Sequence, residues 1–203
     1  MSGAGRRKRM GNLAGLVNLL NAAGASSLAE FAISLPLLIV LVVGIFDFGG
    51  AFNQKQQLSN ATRESARYGA SLPTNDLCAG CTPVPSVDAI RSLMDNYLVA
   101  ARLNDCGLSG AAGLSMPSRL TWIYTASGNG CPGSLTLTVV RGFPDCDLTE
   151  TYSGVGTVYI PCTQVTISYP YQWHFNSVIQ LLVPGANLTL AQISAGATAA
   201  NMN

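Results

Sequence analysis

The hydrophobic pattern begins with one long apolar run. Sixteen uncharged and mostly apolar residues extend from Phe31 to Phe46, between Glu30 and Asp47. Together with the flanking Ala, Leu, Phe and Gly residues, this run approaches the ~20 residues that a helix needs to cross a bilayer. The pattern therefore predicts a transmembrane helix whose membrane span covers about residues 28–50.

Helical periodicity continues beyond the apolar run. We therefore predict one helix from about Leu28 to Tyr68, which at 1.5 Å per residue is about 60 Å long, with half of it outside the lipid. Pro36 lacks a backbone donor and is expected to kink or loosen this helix. The continuing stripe of apolar and small residues is formed by Phe48, Phe52, Leu58, Ala61, Ala66 and Gly69.

A proline-rich loop separates this helix from a second predicted helix, which extends from about Ser86, as its N-cap, to Arg102. Its apolar face contains Val87, Ile90, Leu93, Met94, Tyr97 and Leu98.

Short alternating or β-branched runs follow Gly107, each ending in turn residues. We expect an α+β fold in which the long N-terminal transmembrane helix continues into a small exported domain with a second helix and an antiparallel sheet. The predicted strands are 120–125, 134–141, 156–160, 164–169 and 187–193.

The charge distribution predicts the orientation of the helix. Four basic residues, Arg6 to Arg9, precede the apolar run, which places the amino terminus in the cytoplasm and everything after Asp47 outside it. Beyond residue 25, ten acidic residues outnumber seven basic ones. No basic face remains that could follow a phosphate backbone, so no nucleic-acid partner is expected.

All cysteines follow the apolar run. An even number of cysteines on the predicted exported side favours disulfides, in any of fifteen connectivities. Free thiols, or a zinc site built from Cys78, Cys81 and two distant cysteines, are the alternatives. Zinc is disfavoured by the single CxxC and by the lone His174, so no metal or cofactor is expected. The six disulfide candidates are Cys78, Cys81, Cys106, Cys131, Cys146 and Cys162.

Catalytic signatures are missing from the sequence. It contains no GxSxG, HExxH, P-loop or dinucleotide fingerprint, and one histidine leaves few general bases. We therefore expect no enzyme activity and no catalytic residues. His174 lies in the aromatic run YPYQWHF, which we interpret as the end of a core strand, with an exposed adhesive or subunit-contact patch as the alternative.

The segment from Ser26 to Ala70 resembles the amino-terminal region of TadE-like minor pilins from tight-adherence (Flp, type IVc) pilus systems. The remaining two thirds carry only the helix-then-strands plan. The elements that carry the resemblance are Ser27-Leu28, Glu30-Phe31-Ala32, Leu35-Pro36, Gly44-Ile45, Asp47-Phe48-Gly49, Asn60-Ala61, Arg63-Glu64 and Ala66-Arg67-Tyr68.

This resemblance implies a minor pilin-like (pseudopilin) structural subunit needed for pilus assembly. A prepilin peptidase would remove a basic leader, residues 1–25, by cutting between Ala25 and Ser26, which puts Glu30 at mature position five. The family usually has Gly before the cut, whereas this chain has Ala25. Residues 26–70 would form the long helix and 71–203 the exported disulfide-bonded α+β domain.

In such pilins Glu30, with Phe31 beside it, would serve in subunit pairing through the amino terminus of a neighbouring subunit. The alternative is an interfacial Glu30 that serves only topology. The implied partners are the prepilin peptidase, other pilin subunits, the inner-membrane assembly platform and the lipid bilayer. The implied location is the bacterial inner membrane, with a single pass, and possible incorporation into the pilus is left open.

Two further readings compete with this one. The chain could be a permanently anchored envelope protein that is never processed. It could also be a secreted binding domain whose apolar run is a signal peptide cut after Ala51, although the segment before that site is longer than signal peptides are.

Overall fold

A computed structural model describes residues 7–116, 119–154, 156–175, 180, 185 and 190–202, with side chains from residue 27 onward except those of residues 115 and 152. The helices are α1 (Arg7–Ser71) and α2 (Pro85–Ala100), with a 3₁₀ turn at Leu108–Gly110. The strands are β1 (Gly113–Ser115), β2 (Thr121–Ala126), β3 (Leu135–Arg141), β4 (Asp147–Tyr152), β5 (Gly156–Tyr171) and β6 (Ala191–Ala200). The predicted α+β fold is confirmed.

Helix α1 contains the whole predicted stretch from Leu28 to Tyr68 and continues through Pro36 without interruption. Its carboxyl half packs on the sheet through one face at helical spacing. The buried positions on that face are Asp47, Leu58, Ala61, Thr62, Ser65, Ala66 and Ala70. Phe48 and Phe52, which were predicted to extend this stripe, precede the buried Ala66 and Ala70 by eighteen residues, or five turns, and so lie on the same side of the helix. They are nevertheless 58% and 66% exposed, because the domain does not fully cover the helix at their level.

Helix α2 begins at Pro85, a favourable first position because its missing N–H would be unsatisfied anyway. The predicted N-cap role of Ser86 was wrong, since the N-cap is Val84. The carboxylate of Asp76 replaces the cap: Ser86 donates to it from its backbone N at 2.8 Å and from its hydroxyl at 3.0 Å. The buried face of α2 is formed by Ser86, Val87, Ile90, Met94 and Leu98.

The sheet is antiparallel in every pairing, with the order β1-β2-β3-β5-β4 and with β6 also paired to β5. Strand β5 is its longest element. Residues 163–168 of β5 pair with β3 and residues 162–171 with β6, while its first six residues pair with β4. The carboxyl half of β5 is therefore central, and its amino half forms a two-stranded ribbon with β4.

The predicted strands agree with β2 and β3 to within a residue at each end. The runs 156–160 and 164–169, predicted as two strands, form one continuous strand, β5. Strands β1 and β4 were not predicted. The predicted strand 187–193 lies partly outside the described residues, and the observed β6 begins later, at Ala191.

The core lies between one face of the sheet and the two helices. Alternation along β2 and β3 turns Trp122, Tyr124, Leu135, Leu137 and Val139 toward α1 and α2. Each large apolar side chain buried in this way stabilises the fold by about 1.5–3 kcal/mol. The opposite face of the sheet is more exposed, so the domain has two layers.

Arg141 connects both helices to the sheet from a fully buried position. Its guanidinium donates to the carbonyl oxygens of Gly69 at 2.6 Å and Leu72 at 3.1 Å, near the carboxyl end of α1, and also to the hydroxyl of Ser86. Burial lowers the pKa of Arg141 from its ordinary value. A cation at this end of α1 also offsets the negative pole of the helix dipole.

The six cysteines form three disulfides, Cys78–Cys81, Cys106–Cys131 and Cys146–Cys162. The first closes a small loop between α1 and α2. The second joins the segment after α2 to the β2–β3 connection, and the third joins the β3–β4 connection to β5. The third bond therefore fastens a loop to the sheet, whereas the second joins two loops.

Candidate functional site

The amino-terminal part of α1 extends from the folded domain with its apolar side chains exposed. None of residues 27–46 is buried, and Ile33, Leu37 and Phe46 are 75–80% exposed. Helix α1, considered from Ser27 to Ser71, is long and apolar enough to cross a membrane. The exposed segment 27–46 would span about 30 Å, which matches the hydrocarbon core of a bilayer.

Glu30 and Phe31 lie near the amino end of this exposed segment, and both are exposed. The Glu30 carboxylate has no partner among the side chains that the structure describes. A carboxylate at the edge of an apolar span is costly to bury without a partner, so it is available for an intermolecular contact. Ala25 and Ser26, the predicted cleavage residues, lie outside the residues whose side chains are described, and their role stays a prediction.

Asp47 marks the point where α1 meets the domain, and it is only 5% exposed. Its Oδ1 lies 3.0 Å from the hydroxyl of Tyr171 and 3.3 Å from Nδ1 of His174. Its Oδ2 accepts a hydrogen bond from the backbone N of Phe175 at 2.9 Å. The Tyr171 hydroxyl also lies 3.1 Å from the carbonyl oxygen of Asp47. We call Asp47, Tyr171, His174 and Phe175 the junction cluster.

The junction cluster joins α1 to the end of β5. A buried carboxylate is tolerated when donors satisfy both oxygens, and hydrogen bonds to a charged group contribute about 1.5–3 kcal/mol each. Burial raises the pKa of Tyr171 to about 12, with a further contribution from Asp47, so Tyr171 remains a donor at neutral pH. The cluster therefore fixes where β5 ends along the helix.

A close backbone approach accompanies these hydrogen bonds. A Cβ built on Gly50 would lie 3.2 Å from the Tyr171 hydroxyl, so a small residue is favoured one turn after Asp47. The sequence pattern Asp47-Phe48-Gly49-Gly50 could have pointed to this junction, since it places a carboxylate and two glycines directly after the apolar run. The patterns that involve Asp47, as the end of the apolar run and as part of the TadE-like elements, did not predict the partners of its carboxylate.

The aromatic run at the end of β5, residues 169–175, divides between core and surface. Tyr169 and Tyr171 are buried, as the core interpretation predicted, whereas Trp173 and Phe175 are half-buried. The side chain of His174 is 86% exposed although its Nδ1 faces Asp47. Trp173 stacks edge-on against Phe48, with ring centroids 5.3 Å apart, and against Tyr171 at 5.1 Å.

The outward face of α1 beyond the junction is charged. Lys55, Arg63, Glu64 and Arg67 are all exposed there, as expected for a solvated helix face. The arrangement as a whole can anchor a domain at an apolar helix and hold it at a set position along that helix. At the far end it presents the carboxylate of Glu30, which has no partner among the side chains described from residue 27 onward.

Residues 24–67 match the family model described as TadE-like protein. The match covers the exposed apolar segment, Asp47 and most of the docked half of α1, and it leaves residues 1–23 and 68–203 unmatched. The comparisons with curated proteins and with solved structures gave no match.

Proposed function

Because residues 24–67 of this chain are TadE-like, we propose that it is a minor pilin-like structural subunit needed for assembly of a tight-adherence type IV pilus. In this proposal a prepilin peptidase removes residues 1–25, and the exposed segment of α1 holds the subunit in the inner membrane in a single pass. The domain after Asp47 stands on the extracytoplasmic side. The proposed role is structural and assigns no catalytic residue.

The observation that carries the proposal is the division of α1 at Asp47. Residues 27–46 are exposed and apolar, while the following residues pack into the domain through one face. A single helix that is half membrane segment and half domain core is suited to a subunit that moves from a bilayer into a helical filament, because the same apolar surface can contact lipid or neighbouring helices.

The packing of α1 also argues against a signal peptide cut after Ala51. Such a cut would remove Asp47 and leave Tyr171 and the Phe175 N–H without their acceptor. Buried donors that lose their partner destabilise a fold by about 1–3 kcal/mol. The part of α1 that contains Asp47 is thus better suited to retention in the mature chain.

Glu30 gives the proposed assembly its register. If cleavage exposes an amine at Ser26, a carboxylate four residues away can pair with the amino terminus of a neighbouring subunit. Apolar helices slide past one another easily, whereas one buried charge pair penalises each register that leaves it unsatisfied. Other pilin subunits and the inner-membrane assembly platform are the proposed partners.

The test of this proposal combines intact mass with a deletion. Mass spectrometry of the membrane-extracted protein should give a chain that begins at Ser26 when the prepilin peptidase is active, and at Met1 when it is inactivated. Deleting the gene should abolish surface pili, and the wild-type gene should restore them. The proposal is refuted if the chain keeps Arg6 to Arg9 in a strain whose prepilin peptidase is active. It is also refuted if surface pili remain normal after the gene is deleted.

A further inference from the structure

Three aromatic side chains, Phe48, Phe52 and Trp173, form an exposed group just beyond the apolar segment, and we call it the aromatic collar. The group surrounds an open cleft of about 170 Å³. The cleft is lined by Phe48, Ala51, Phe52, Lys55, Trp173 and Ile193. Phe48 and Phe52 are more than half exposed, so this is a surface and not part of the core.

The aromatic collar continues one face of the apolar segment. Leu41, Ile45, Phe48 and Phe52 follow each other at spacings of four, three and four residues, which places them in one row along α1. All four are 58–66% exposed. The row is about 16 Å long and passes the level of Asp47 without a break.

The chemistry of the collar fits the boundary layer of a bilayer. Tryptophan and tyrosine are enriched where hydrocarbon meets the headgroups, because their rings are apolar while the indole N–H or phenol O–H can reach water. The rings of Phe48 and Phe52 add apolar area beside Trp173. Lys55 follows Phe52 at helical spacing and is exposed, so its ammonium can extend toward lipid phosphates while its stem lies on the apolar surface.

The size of the collar argues against a second protein as its occupant. Aromatic side chains bury about 150–250 Å² each when fully covered, so three partly exposed ones offer about 300–400 Å². A stable protein interface needs about 800 Å² on each side. The lipid layer needs no such area, because the apolar segment already holds the chain in place.

We infer that Phe48, Phe52 and Trp173 form an interfacial collar that seats the domain on the outer headgroup layer of the bilayer, with Lys55 at the phosphates. The inference rests on the proposed membrane span of residues 27–46. Since Trp173 is two residues after Tyr171, the junction cluster fixes the depth of the collar relative to Asp47. The collar thus sets both the height and the tilt of the domain above the membrane.

The two tryptophans supply a built-in test. Trp122 is fully buried in the sheet, whereas Trp173 belongs to the collar. The full chain is reconstituted in vesicles of phosphatidylcholine and phosphatidylglycerol whose acyl chains carry bromine, a fluorescence quencher, either near the headgroup or near the methyl end. Trp122→Phe leaves Trp173 as the reporter, and Trp173→Phe leaves Trp122 as the matched control.

We expect strong loss of Trp173 emission with bromine near the headgroup, weaker loss with deep bromine, and no loss for Trp122. If Trp122→Phe does not fold, the quenching of Trp173 is obtained by subtracting the emission of Trp173→Phe from that of the wild type.

Flotation of the vesicles distinguishes failure of the collar from failure of the membrane anchor. If the protein floats with the vesicles but Trp173 is not quenched, or is quenched best by deep bromine, the collar proposal is wrong and the membrane anchor stands. If the protein does not float, the membrane anchor and the collar are both wrong. Trp173 emission that resists bromine but shifts to the blue as protein density rises identifies a second copy as the occupant, and also overturns the collar.

Discussion

The hydroxyl of Tyr171 lies 3.0 Å from Oδ1 of Asp47, although the two residues are 124 positions apart in the chain. This contact joins the last residue of β5 to the helix at the point where the exposed apolar segment ends. It gives the carboxylate a donor in a site that water barely reaches, since Asp47 is 5% exposed. This contact adds a polar restraint to the orientation of the domain, which the packing of the carboxyl half of α1 in the core also fixes.

Tyr171→Phe is expected to lower the free energy of unfolding by about 1–3 kcal/mol, because it leaves a buried carboxylate with one donor fewer. The measurement is denaturant unfolding of the full chain in micelles, followed by near-UV circular dichroism. Tyr159→Phe is the matched control, since Tyr159 is 57% exposed on β5, and it should change little. Equal stability of the two variants would show that the junction cluster is not a stabilising contact.

Glu30→Gln and Glu30→Ala are expected to leave membrane abundance and leader removal near the wild-type level, because removing a charge eases residence in lipid. Surface pili should nevertheless be lost or fall sharply, since the proposed pairing carboxylate is gone. The measurement compares membrane abundance, chain mass and surface pili in the same strains. If Glu30→Ala gives normal surface pili, the carboxylate has only a topological role and the proposed pairing is wrong.

Gly69→Ala is expected to destabilise the domain by about 1–3 kcal/mol, the usual effect of overpacking a core. A Cβ at this position would lie 2.6 Å from Cδ1 of Ile90 and 2.7 Å from Cγ2 of Thr163, where α1 crosses both α2 and β5. Gly44→Ala is the control, because a Cβ there would have no neighbour within 4 Å. Unfolding in micelles should separate the two variants, and similar unfolding midpoints would contradict the close crossing.

Asp95→Asn is expected to stabilise the domain at neutral pH. Burial, together with the charge of Asp105 and a hydrogen bond to it, raises the pKa of Asp95 above its ordinary value of 3.8. A raised carboxyl pKa gives stability that is fully present below pH 3.8 and lost as the pH rises through the folded-state pKa. The stability difference between Asp95→Asn and the wild type should therefore be near zero below pH 3.8 and should grow as the pH rises through the folded-state pKa of Asp95.

The check on Asp95 is a series of unfolding midpoints between acidic and neutral pH for wild type and variant. Asp147→Asn removes the same charge from an exposed position on β4 and serves as the control. A stability difference for Asp95→Asn that does not change with pH, or that matches the control, would exclude the proposed cause.

Native protein is expected to contain no alkylatable thiol before reduction. Replacing Cys106 and Cys131 together by Ala should cost about 3 kcal/mol, because that bond closes a separation of 25 residues. Replacing Cys78 and Cys81 should cost less, since their separation is only three residues. Intact mass after alkylation and unfolding midpoints of both double variants test this order.

Much of the architecture could be read from local patterns. The sixteen-residue apolar run predicted the exposed segment of α1, because a helix satisfies all the backbone hydrogen bonds of such a segment without help from water. The alternation of apolar and polar residues predicted β2 and β3, because every second side chain of these strands faces the core. The TadE-like elements between Ser26 and Tyr68 determined the family to which the amino-terminal segment is matched.

Only the tertiary structure decided which distant groups meet. Two of the three cysteine pairs, the partners of Asp47 and the buried contacts of Arg141 join residues that are far apart in the chain, and no local periodicity encodes such contacts. The extent of burial along α1 could not be predicted for the same reason. Phe48 and Leu58 both fit a helical stripe in sequence, but the cover that the sheet and the loops provide at each turn buries Leu58 and leaves Phe48 58% exposed.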